Sequence, residues 1–301
     1  MTAKRWLLAA LVLPSLVACD STPRTVPPTG PPRGKTVTVE LRDRPFQLHV
    51  PTGYDPAVKA PLVVLLHGYT SSAAEQESYL RLTAEADRRG FLYAMPDGTK
   101  DRRDNRFWNA TEACCDFNRT GVDDSAYLTQ LLDTVALSYS VDTRRVYLVG
   151  HSNGGFMAYR MACEHSTRIT AIVSLAGAAT NDAAQCAPER PVSVLQIHGT
   201  ADRTIRFEGG ANVGRPYPSA QSSLALWHRH NGCGDQAASA APLDLDSRLP
   251  GPETTVTTYR TGCRDATTVA LWSIKDGRHI PTLANDFPSL VTDFLLAHTR
   301  P

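Results

Sequence analysis

The chain has 301 residues, of which 42% are hydrophobic and 20% charged, and its formal net charge is +1. A nearly neutral chain argues against a protein that follows the nucleic-acid backbone through a basic excess, and this hydrophobic content argues against wholesale disorder. The length fits one or two domains. Seven cysteines are present, so at least one of them cannot pair within the chain.

The first residues have the pattern of an export signal. Lys4 and Arg5 precede an apolar run at 6–18 that is too short to span a bilayer but fits a secretory signal peptide. Leu16-Val-Ala18 before Cys19 resembles the lipobox of bacterial lipoproteins, in which the signal is cut before a cysteine that carries lipid. An ordinary signal peptide followed by a chance cysteine is the alternative.

Residues 20–35 contain five prolines together with several Thr and Ser, so this segment buries little and stays extended. We therefore expect a signal peptide at 1–18, a lipidated Cys19 with a Pro-rich tether at 19–35, and one folded domain at 36–301. The expected location is extracytoplasmic, either secreted or held at the cell membrane through the lipid anchor alone.

The remaining chain alternates between strand-like and helix-like segments. Several apolar runs are continuous in Val, Leu and Ile, which is typical of strands covered on both faces in a parallel sheet. The alternation predicts an α/β fold, with a mostly parallel central sheet and helices on both faces. Strands are predicted at 46–50, 61–66, 91–95, 146–149, 171–175, 192–197 and 268–274, and helices at 73–89, from Asp123 or Asp124 to Val135, at 219–230 and at 287–298.

The sequence Gly150-His-Ser-Asn-Gly154 matches the pattern G-x-S-x-G. A β-rich run precedes it and a helix-like segment at 156–162 follows, which is the context that a nucleophile elbow needs. The glycines allow a sharp turn that lifts the hydroxyl of Ser152 above the sheet. A plain Gly-rich turn between a strand and a helix is the alternative.

A nucleophilic serine needs a histidine base that is itself oriented by an acid, and with this elbow the chain order is serine, acid, histidine. Asp202 follows the predicted strand at 192–197, and His279 follows the predicted strand at 268–274. We therefore expect Asp202 to be the acid and His279 the base. The rival candidates, which fit the order or the position less well, are Asp97, Asp182, His67, His151, His198, His228, His230 and His298.

Acyl transfer also needs two N–H donors that point at the developing oxyanion. One is expected from the backbone of Asn153, the residue after the candidate nucleophile. The other should come from an early loop between a strand and a helix, and Leu66-His-Gly68 precedes such a loop. The backbone N–H of Tyr69 is our candidate there.

These motifs together resemble the α/β-hydrolase esterases grouped as polyhydroxybutyrate depolymerase-like and feruloyl-esterase-like proteins, including bacterial lipoprotein members. Many members carry Gly-His-x-Trp-Pro around the catalytic histidine, whereas this chain has Gly277-Arg-His-Ile-Pro281. The departure weakens any inference about substrate preference more than it weakens His279. The resemblance rests on Leu66-His-Gly68, Cys114-Cys-Asp-Phe117 with Gly121-Val-Asp-Asp124, Gly150-His-Ser-Asn-Gly-Gly155, His198-Gly-Thr-Ala-Asp202 and His279.

The resemblance implies a serine esterase that hydrolyses carboxylic esters, either feruloyl or acetyl groups on polysaccharides or hydroxyalkanoate polyesters. An ester substrate is the expected partner, with no nucleic acid, no metal and no cofactor. Trp108 could stack on an aromatic acyl group or a sugar, or could serve ordinary loop packing. The alternatives are an inactive hydrolase-fold lipoprotein that only binds ligands, a serine peptidase of the prolyl-oligopeptidase type, and a lipase.

With Cys19 assigned to lipid, six cysteines remain in an oxidising compartment. Cys233 with Cys263 is the preferred bridge, because it closes the segment between the helix ending near residue 230 and the strand at 268. The partners of the other four stay open, and they are Cys114, Cys115, Cys163 and Cys186.

Overall fold

The computed structural model describes residues 32–42 and 44–301. The predictions of a signal at 1–18, a lipidated Cys19 and most of the tether at 19–35 lie outside the described residues. Within those described ranges, no helix is long and apolar enough to cross a membrane.

The structure contains one large sheet, two short hairpins and six α-helices within the described ranges. The strands are β1 (Lys35–Val39), β2 (Phe46–Val50), β3 (Ala60–Leu66), β4 (Leu92–Pro96), β5 (Thr99–Lys100), β6 (Arg106–Phe107), β7 (Val141–His151), β8 (Ala171–Leu175), β9 (Ser193–Gly199), β10 (Gly210–Asn212), β11 (Arg215–Tyr217), β12 (Ala238–Ser239), β13 (Thr254–Tyr259) and β14 (Val269–Ile274). The helices are α1 (Ala73–Leu80), α2 (Thr83–Arg89), α3 (Asp124–Ser138), α4 (Asn153–Glu164), α5 (Ala220–Asn231) and α6 (Phe287–Leu296), and 3₁₀ turns lie at Ala183–Gln185 and Arg264–Ala266.

The large sheet has the strand order β1-β2-β4-β3-β7-β8-β9-β14-β13-β12. The strands from β4 to β14 in this order pair in parallel, and antiparallel pairs cover both edges. The prediction of a mostly parallel sheet is therefore confirmed, and the architecture is that of an α/β-hydrolase fold.

Both faces of the sheet carry helices, as the sequence predicted. In β3, Leu62, Val64 and Leu66 pack into one hydrophobic core, while Val63 and Leu65 pack into the other. Helices α3, α4 and α5 cover the first core, and α1, α2 and α6 cover the second. Successive side chains of a strand point to opposite faces, so an unbroken apolar run is the expected signature of such a strand.

The prediction of one helix at 73–89 is wrong, because the chain forms two helices there. Arg81 adopts left-handed backbone angles, with φ 57° and ψ 43°, and ends α1. The carboxylate of Glu77 then accepts hydrogen bonds from the N–H groups of Leu82 and Thr83, at 3.2 and 2.9 Å. Two tertiary contacts hold the break, since the Arg81 guanidinium donates to the carbonyls of Leu283 and Ala284, at 3.2 and 2.8 Å.

Other boundaries also differ from expectation. Strand β1 begins at Lys35, inside the predicted tether, and α6 ends at Leu296 rather than at 298. Strand β13 (Thr254–Tyr259) was not predicted, although its residues alternate between buried and more exposed positions. This alternation of β-branched residues is a period-two signal that could have identified the strand.

The sequence allowed either Asp123 or Asp124 to cap the start of α3, and the two side chains make different contacts in the structure. The side chain of Asp123 accepts from the N–H of Ala126 at 3.0 Å and caps the helix. Asp124 is buried instead, where it pairs with Arg44 at 2.6 Å and accepts from the N–H of Asn109 at 2.7 Å. Burial raises the pKa of the Asp124 carboxyl, and the positive charge of Arg44 opposes that rise.

Candidate active site

Ser152 lies at the sharp turn between β7 and α4. Its backbone has φ 53° and ψ −118°, a sparsely populated conformation for a residue other than glycine. The N–H of Ser152 donates to the carbonyl of Leu175 on the neighbouring strand at 2.8 Å, which holds the turn on the sheet. The turn therefore has the strained geometry that the G-x-S-x-G pattern predicts.

The glycines of the turn are required by close approach of the backbone. A Cβ on Gly150 would lie 2.1 Å from the carbonyl oxygen of Gly154. A Cβ on Gly154 would lie 2.0 Å from the carbonyl oxygen of Leu66, at the end of β3. Only residues without a side chain let α4 begin this close to the sheet.

Asp202 and His279 come together because of the register between β9 and β14. These strands pair in parallel, with Gly199 opposite Ile274 at their carboxyl ends. The loops that follow bring the Nδ1 of His279 to 2.7 Å from the Oδ2 of Asp202. The Nε2 of the same imidazole lies 2.9 Å from the Oγ of Ser152, so the structure places the three predicted residues in one hydrogen-bonded row.

Burial and hydrogen bonds fix the charge state of Asp202. Its side chain has no exposed area, whereas that of His279 is 15% exposed and faces the surface. The Oδ1 of Asp202 accepts from the N–H groups of Thr204 and Ile205, at 2.8 and 3.0 Å. Burial opposes ionisation, but the nearby imidazoles of His198 and His279 outweigh it and hold the pKa of the Asp202 carboxyl well below its usual range.

A series of buried hydrogen bonds, which the sequence did not predict, continues behind Asp202. The Nε2–H of His198 donates to the carbonyl of Ile205 at 2.7 Å and lies 3.4 Å from the Oδ2 of Asp202. The side-chain amide of Gln196 donates to the Nδ1 of His198 at 3.0 Å, and the hydroxyl of Tyr159 donates to the Oε1 of Gln196 at 2.8 Å. All four side chains are buried, so this series of hydrogen bonds holds the side chains next to the carboxylate of Asp202 in place.

His151, next to the candidate nucleophile, contacts the loop that carries the candidate base. Its Nε2–H donates to the backbone carbonyl of His279 at 3.0 Å. Burial, reinforced by the nearby His279, lowers the pKa of His151 to about 4. The imidazole of His151 is therefore neutral near pH 7 and serves as a hydrogen-bond donor to the loop.

The two predicted oxyanion donors belong to segments that lie next to Ser152. Asn153 is the first residue of α4, where backbone N–H groups have no partner within the helix. A Cβ on Gly68 would lie 3.6 Å from the Cβ of Ser152, so the loop that carries Tyr69 runs alongside the serine. Neither amide, of Asn153 or of Tyr69, donates to an acceptor elsewhere in residues 32–42 and 44–301.

Trp108 is fully buried, which corrects the expectation that it stacks on an acyl group or a sugar. Its indole N–H donates to the carbonyl of His67 at 3.1 Å. The side-chain amide of Asn153 makes two hydrogen bonds to the backbone of Trp108, at 2.7 and 2.8 Å. Since no face of the indole is accessible, Trp108 packs the loop beneath the candidate oxyanion donors, which was the alternative interpretation.

The rival candidates Asp97, Asp182 and His67 have other partners. Asp97 accepts from the N–H of Ala73 at 2.8 Å and pairs with Arg106 at 3.1 Å, while Asp182 caps a 3₁₀ turn. His67 is buried between backbone groups of Gly68 and Gly98. Within the described ranges, no group of three or more His, Cys, Asp or Glu is arranged so that it could hold a metal ion.

The cysteines of the described domain pair as three disulfides. Cys233 and Cys263 are joined, so that the end of α5 is linked to the turn before β14. Of the four cysteines left open, Cys114 pairs with Cys115 and Cys163 with Cys186.

The fold and the row of Ser152, His279 and Asp202 define a protein of the α/β-hydrolase class with the residue arrangement of a serine hydrolase. The family model described as Esterase PHB depolymerase matches residues 45–227, which is more than half of the chain. The chain therefore belongs to the Esterase PHB depolymerase family, where PHB is polyhydroxybutyrate.

Individual relatives agree with this family. NocK of Nocardia uniformis subsp. tsuyamanensis, which is named as an esterase, is 33% identical over 58% of this chain and 50% of its own length. Feruloyl esterase B of Piromyces equi is 26% identical over 64% of this chain and 36% of its own length. The chain thus spans half or less of the length of these relatives.

A solved structure supports the fold. The acetyl xylan esterase from Aspergillus awamori superposes with a TM-score of 0.61 and 14% sequence identity, covering 87% of this chain and 99% of that chain. At this identity the likeness shows the fold alone.

Proposed function

We propose that this protein is a serine esterase that hydrolyses carboxylic esters through Ser152, His279 and Asp202. The proposal rests on the two hydrogen bonds that join these residues. The Oγ of Ser152 lies 2.9 Å from the Nε2 of His279, and the Nδ1 of His279 lies 2.7 Å from the Oδ2 of Asp202. Within hydrogen-bond reach, an imidazole can accept the serine proton as the oxygen attacks.

The reaction follows from these positions. The Oγ of Ser152 attacks the ester carbonyl carbon while its proton passes to the Nε2 of His279. The carboxylate of Asp202 accepts from the Nδ1–H, which holds the tautomer and stabilises the imidazolium. The imidazolium then protonates the leaving alcohol, and water, activated by the same imidazole, hydrolyses the acyl-enzyme.

The backbone N–H groups of Tyr69 and Asn153 are the proposed donors to the oxyanion. Both amides are unused by the described residues, so they are available to a tetrahedral intermediate. The side-chain hydrogen bonds from Asn153 to the backbone of Trp108 brace the loop next to these donors. A single donor of this kind contributes about 10²- to 10³-fold to kcat.

The proposed substrates are esters of the kinds named in the family and its relatives, namely polyhydroxybutyrate-type polyesters and feruloyl or acetyl esters of polysaccharides. Ile280 stands beside the candidate base, where many family members carry Trp, and its side chain is exposed. The site therefore opens to the surface here, as a polymer substrate needs.

The proposed location is extracytoplasmic. Three disulfides within the described domain are typical of proteins that fold in an oxidising compartment. Together with the signal-like pattern at 1–18, they support export, and we propose Cys19 as the lipidated residue.

Cys19→Ala should move the protein from the membrane fraction to the soluble fraction of its host, as detected by immunoblot.

The esterase proposal is tested by kcat/KM on p-nitrophenyl acetate and methyl ferulate. Ser152→Ala should lower kcat by about 10⁴-fold or more, because the nucleophile is removed. Asp202→Asn should lower kcat by about 10⁴-fold, because an amide favours the wrong tautomer of the imidazole. Ser222→Ala, at an exposed position on α5, is the matched control and should behave as wild type.

A wild-type protein without activity on a broad panel of esters, whose ligand binding is equal in the Ser152→Ala variant, would contradict the proposal. That result would favour the inactive hydrolase fold that only binds ligands.

A further inference from the structure

Helix α1 contacts two of the loops that carry the proposed catalytic groups. Gln76 and Tyr79 stand three positions apart on this helix, so their side chains lie on one face of it. The buried side chain of Gln76 contacts the loop that carries Tyr69, and the side chain of Tyr79 contacts the loop that carries His279. A single helix therefore connects one proposed oxyanion donor with the proposed base.

The backbone around the candidate base is held by two side-chain donors. The Nε2–H of His151 donates to the carbonyl of His279 at 3.0 Å. The hydroxyl of Tyr79 donates to the carbonyl of Pro281 at 2.8 Å, and burial raises the pKa of this hydroxyl, so it stays protonated and remains a donor. Within the described ranges, no other hydrogen bond reaches the backbone of residues 279–281. Loss of either donor therefore frees one end of the segment that carries the base.

The loop that carries Tyr69 is fixed at the amides on either side of the candidate donor. The N–H of Gly68 donates to the Oε1 of Gln76 at 3.1 Å. The N–H of Thr70 donates to the carbonyl of Arg106 at 2.9 Å. The amide of Tyr69 lies between them in the chain and has no acceptor within the described ranges, so its direction is set by the hydrogen bonds of its two neighbours.

The side-chain amide of Gln76 is only partly satisfied. Its Nε2 is buried and has no hydrogen-bond partner in the part of the chain that the structure describes. A buried donor without a partner opposes folding, and each such group in a native structure calls for an explanation. An apolar side chain of similar length would avoid the unpaired donor but would leave the N–H of Gly68 without its acceptor. The hydrogen bond to the loop therefore explains the presence of a polar side chain at position 76.

His151 lies between the two loops and next to α1. A Cβ on Gly68 would lie 3.4 Å from the Nδ1 of His151. The imidazole of His151 also packs against the ring of Tyr79 and against the ring of His279, with 5.5 and 5.2 Å between the centroids. Because buried side chains are close-packed, a displacement of α1 would be transmitted to both loops.

Both ends of α1 are themselves fixed. At its first residue, the N–H of Ala73 donates to the Oδ1 of Asp97, which follows β4, at 2.8 Å. Directly after its last residue, the guanidinium of Arg81 donates to the carbonyls of Leu283 and Ala284, which continue the base loop. The helix is therefore a fixed support for the groups that it contacts.

We propose that Gln76 and Tyr79 are positioning residues of the proposed esterase. Gln76 sets the direction of the Tyr69 amide, and Tyr79 sets the place of the His279 imidazole. The inference rests on the proposed function and adds two residues that lie outside the triad and the oxyanion donors. Such placement matters because a displacement of about 1 Å can reduce the rate of a reaction by about 100-fold.

The test uses two substitutions that keep the size of the side chain. Tyr79→Phe removes only the hydroxyl, and with p-nitrophenyl acetate its kcat should fall about 10- to 100-fold, as expected for a displaced base. Gln76→Met removes the acceptor, and its kcat should fall about tenfold, which is less than the loss of an entire oxyanion donor. KM should change less than about twofold in both variants, because neither side chain is proposed to bind the ester.

Tyr147→Phe is the matched control. Tyr147 is fully buried, and its hydroxyl also donates to a backbone carbonyl, that of His298 beyond α6. Tyr147→Phe and Tyr79→Phe should show comparable decreases in Tm, but Tyr147→Phe should keep the wild-type kcat. An equal fall of kcat in the two variants would show a general effect of stability and would overturn the inference.

A spectroscopic measurement separates this inference from the esterase proposal. The proton between the Nδ1 of His279 and Asp202 gives an NMR resonance far downfield, whether or not an ester is hydrolysed. Tyr79→Phe should shift or broaden this resonance, whereas Gln76→Met should leave it as in wild type.

The outcomes are distinguishable. A wild-type kcat in both variants, with an unchanged resonance in Tyr79→Phe, would overturn the inference and leave the esterase proposal standing. A fall of kcat in one variant alone would overturn the role of the other residue. Inactivity of the wild type on the ester panel would count against the esterase proposal, and the resonance would still decide whether Tyr79 positions His279.

Discussion

Two buried histidines flank the candidate catalytic residues without belonging to the row. His151 donates to the backbone carbonyl of His279, and His198 donates to the carbonyl of Ile205 while lying 3.4 Å from Asp202. Each therefore braces a loop on which the chemistry is proposed to depend. A shift of one ångström in such a loop can reduce the rate of a reaction by about 100-fold.

The lowered pKa of His151 predicts a pH dependence of stability. Below about pH 6.5 the unfolded chain protonates this imidazole, whereas the folded protein keeps it neutral down to about pH 4. The unfolded state thus binds more protons in this window, and the free energy of unfolding decreases as the pH falls through it.

His151→Gln removes the titrating group and keeps an N–H donor for the carbonyl of His279. Urea unfolding at about pH 7 and at about pH 4.5 should show a smaller loss of stability in the variant than in wild type. Equal losses in the two proteins would show that His151 does not remain neutral in this window.

At the scale of secondary structure, strand register assembles the candidate site. Gly199 pairs with Ile274, and the acid and base loops start directly after these residues. A Cβ on Gly199 would lie 2.2 Å from the carbonyl oxygen of Gly277, so the two loops touch at the backbone. This close contact leaves no room for a side chain, which explains why the residue at 199, three positions before Asp202, is glycine.

The break between α1 and α2 depends on one carboxylate. Glu77 accepts from the N–H groups of Leu82 and Thr83 and from the hydroxyl of the buried Tyr93, the last at 2.7 Å. Glu77→Ala leaves these donors without their partner and should reduce the free energy of unfolding by about 2–3 kcal/mol, measured by urea denaturation.

Glu75→Ala is the matched control for that experiment. Glu75 lies on the same helix but is exposed and accepts from the hydroxyls of Ser71 and Ser72. Its removal should cost less than about 1 kcal/mol. Similar losses for Glu75→Ala and Glu77→Ala would refute the special role of Glu77 at the helix break.

At the scale of the whole molecule, two hydrophobic cores enclose one sheet, and each disulfide has at least one cysteine in or against the first of these cores. The bridge between Cys233 and Cys263 spans 30 residues and links the end of α5 to the entrance of β14. It constrains the peripheral segment that includes β12 and β13.

Cys233→Ser together with Cys263→Ser should lower the free energy of unfolding by about 3–4 kcal/mol, because the unfolded chain regains the entropy of an open loop. Thermal unfolding should show the corresponding decrease in Tm, whereas esterase activity at 25 °C should persist, since neither cysteine touches the candidate site. An unchanged Tm, or six free thiols in the mature domain by mass spectrometry, would contradict the bridge.

Much of the site was predictable because its residues stand at the ends of recognisable strands. The runs that became β8, β9 and β14 are rich in apolar residues, and Asp202 and His279 follow two of them. The break at Arg81 was not predictable, because its stabilising partners include the carbonyl of Ala284, 203 residues further along the chain.

The sequence by itself determined the layered α/β architecture, the turn at Ser152 and the order of serine, acid and histidine. These features are local, since strand burial, glycine at a tight turn and short loops after strands all leave patterns within a few residues. Tertiary structure alone decided that Trp108 is buried, that His151 and His198 brace the base and the acid, and that Cys114 pairs with Cys115. Such contacts depend on strand register and on the paths of loops that are distant in sequence, and no local pattern records either.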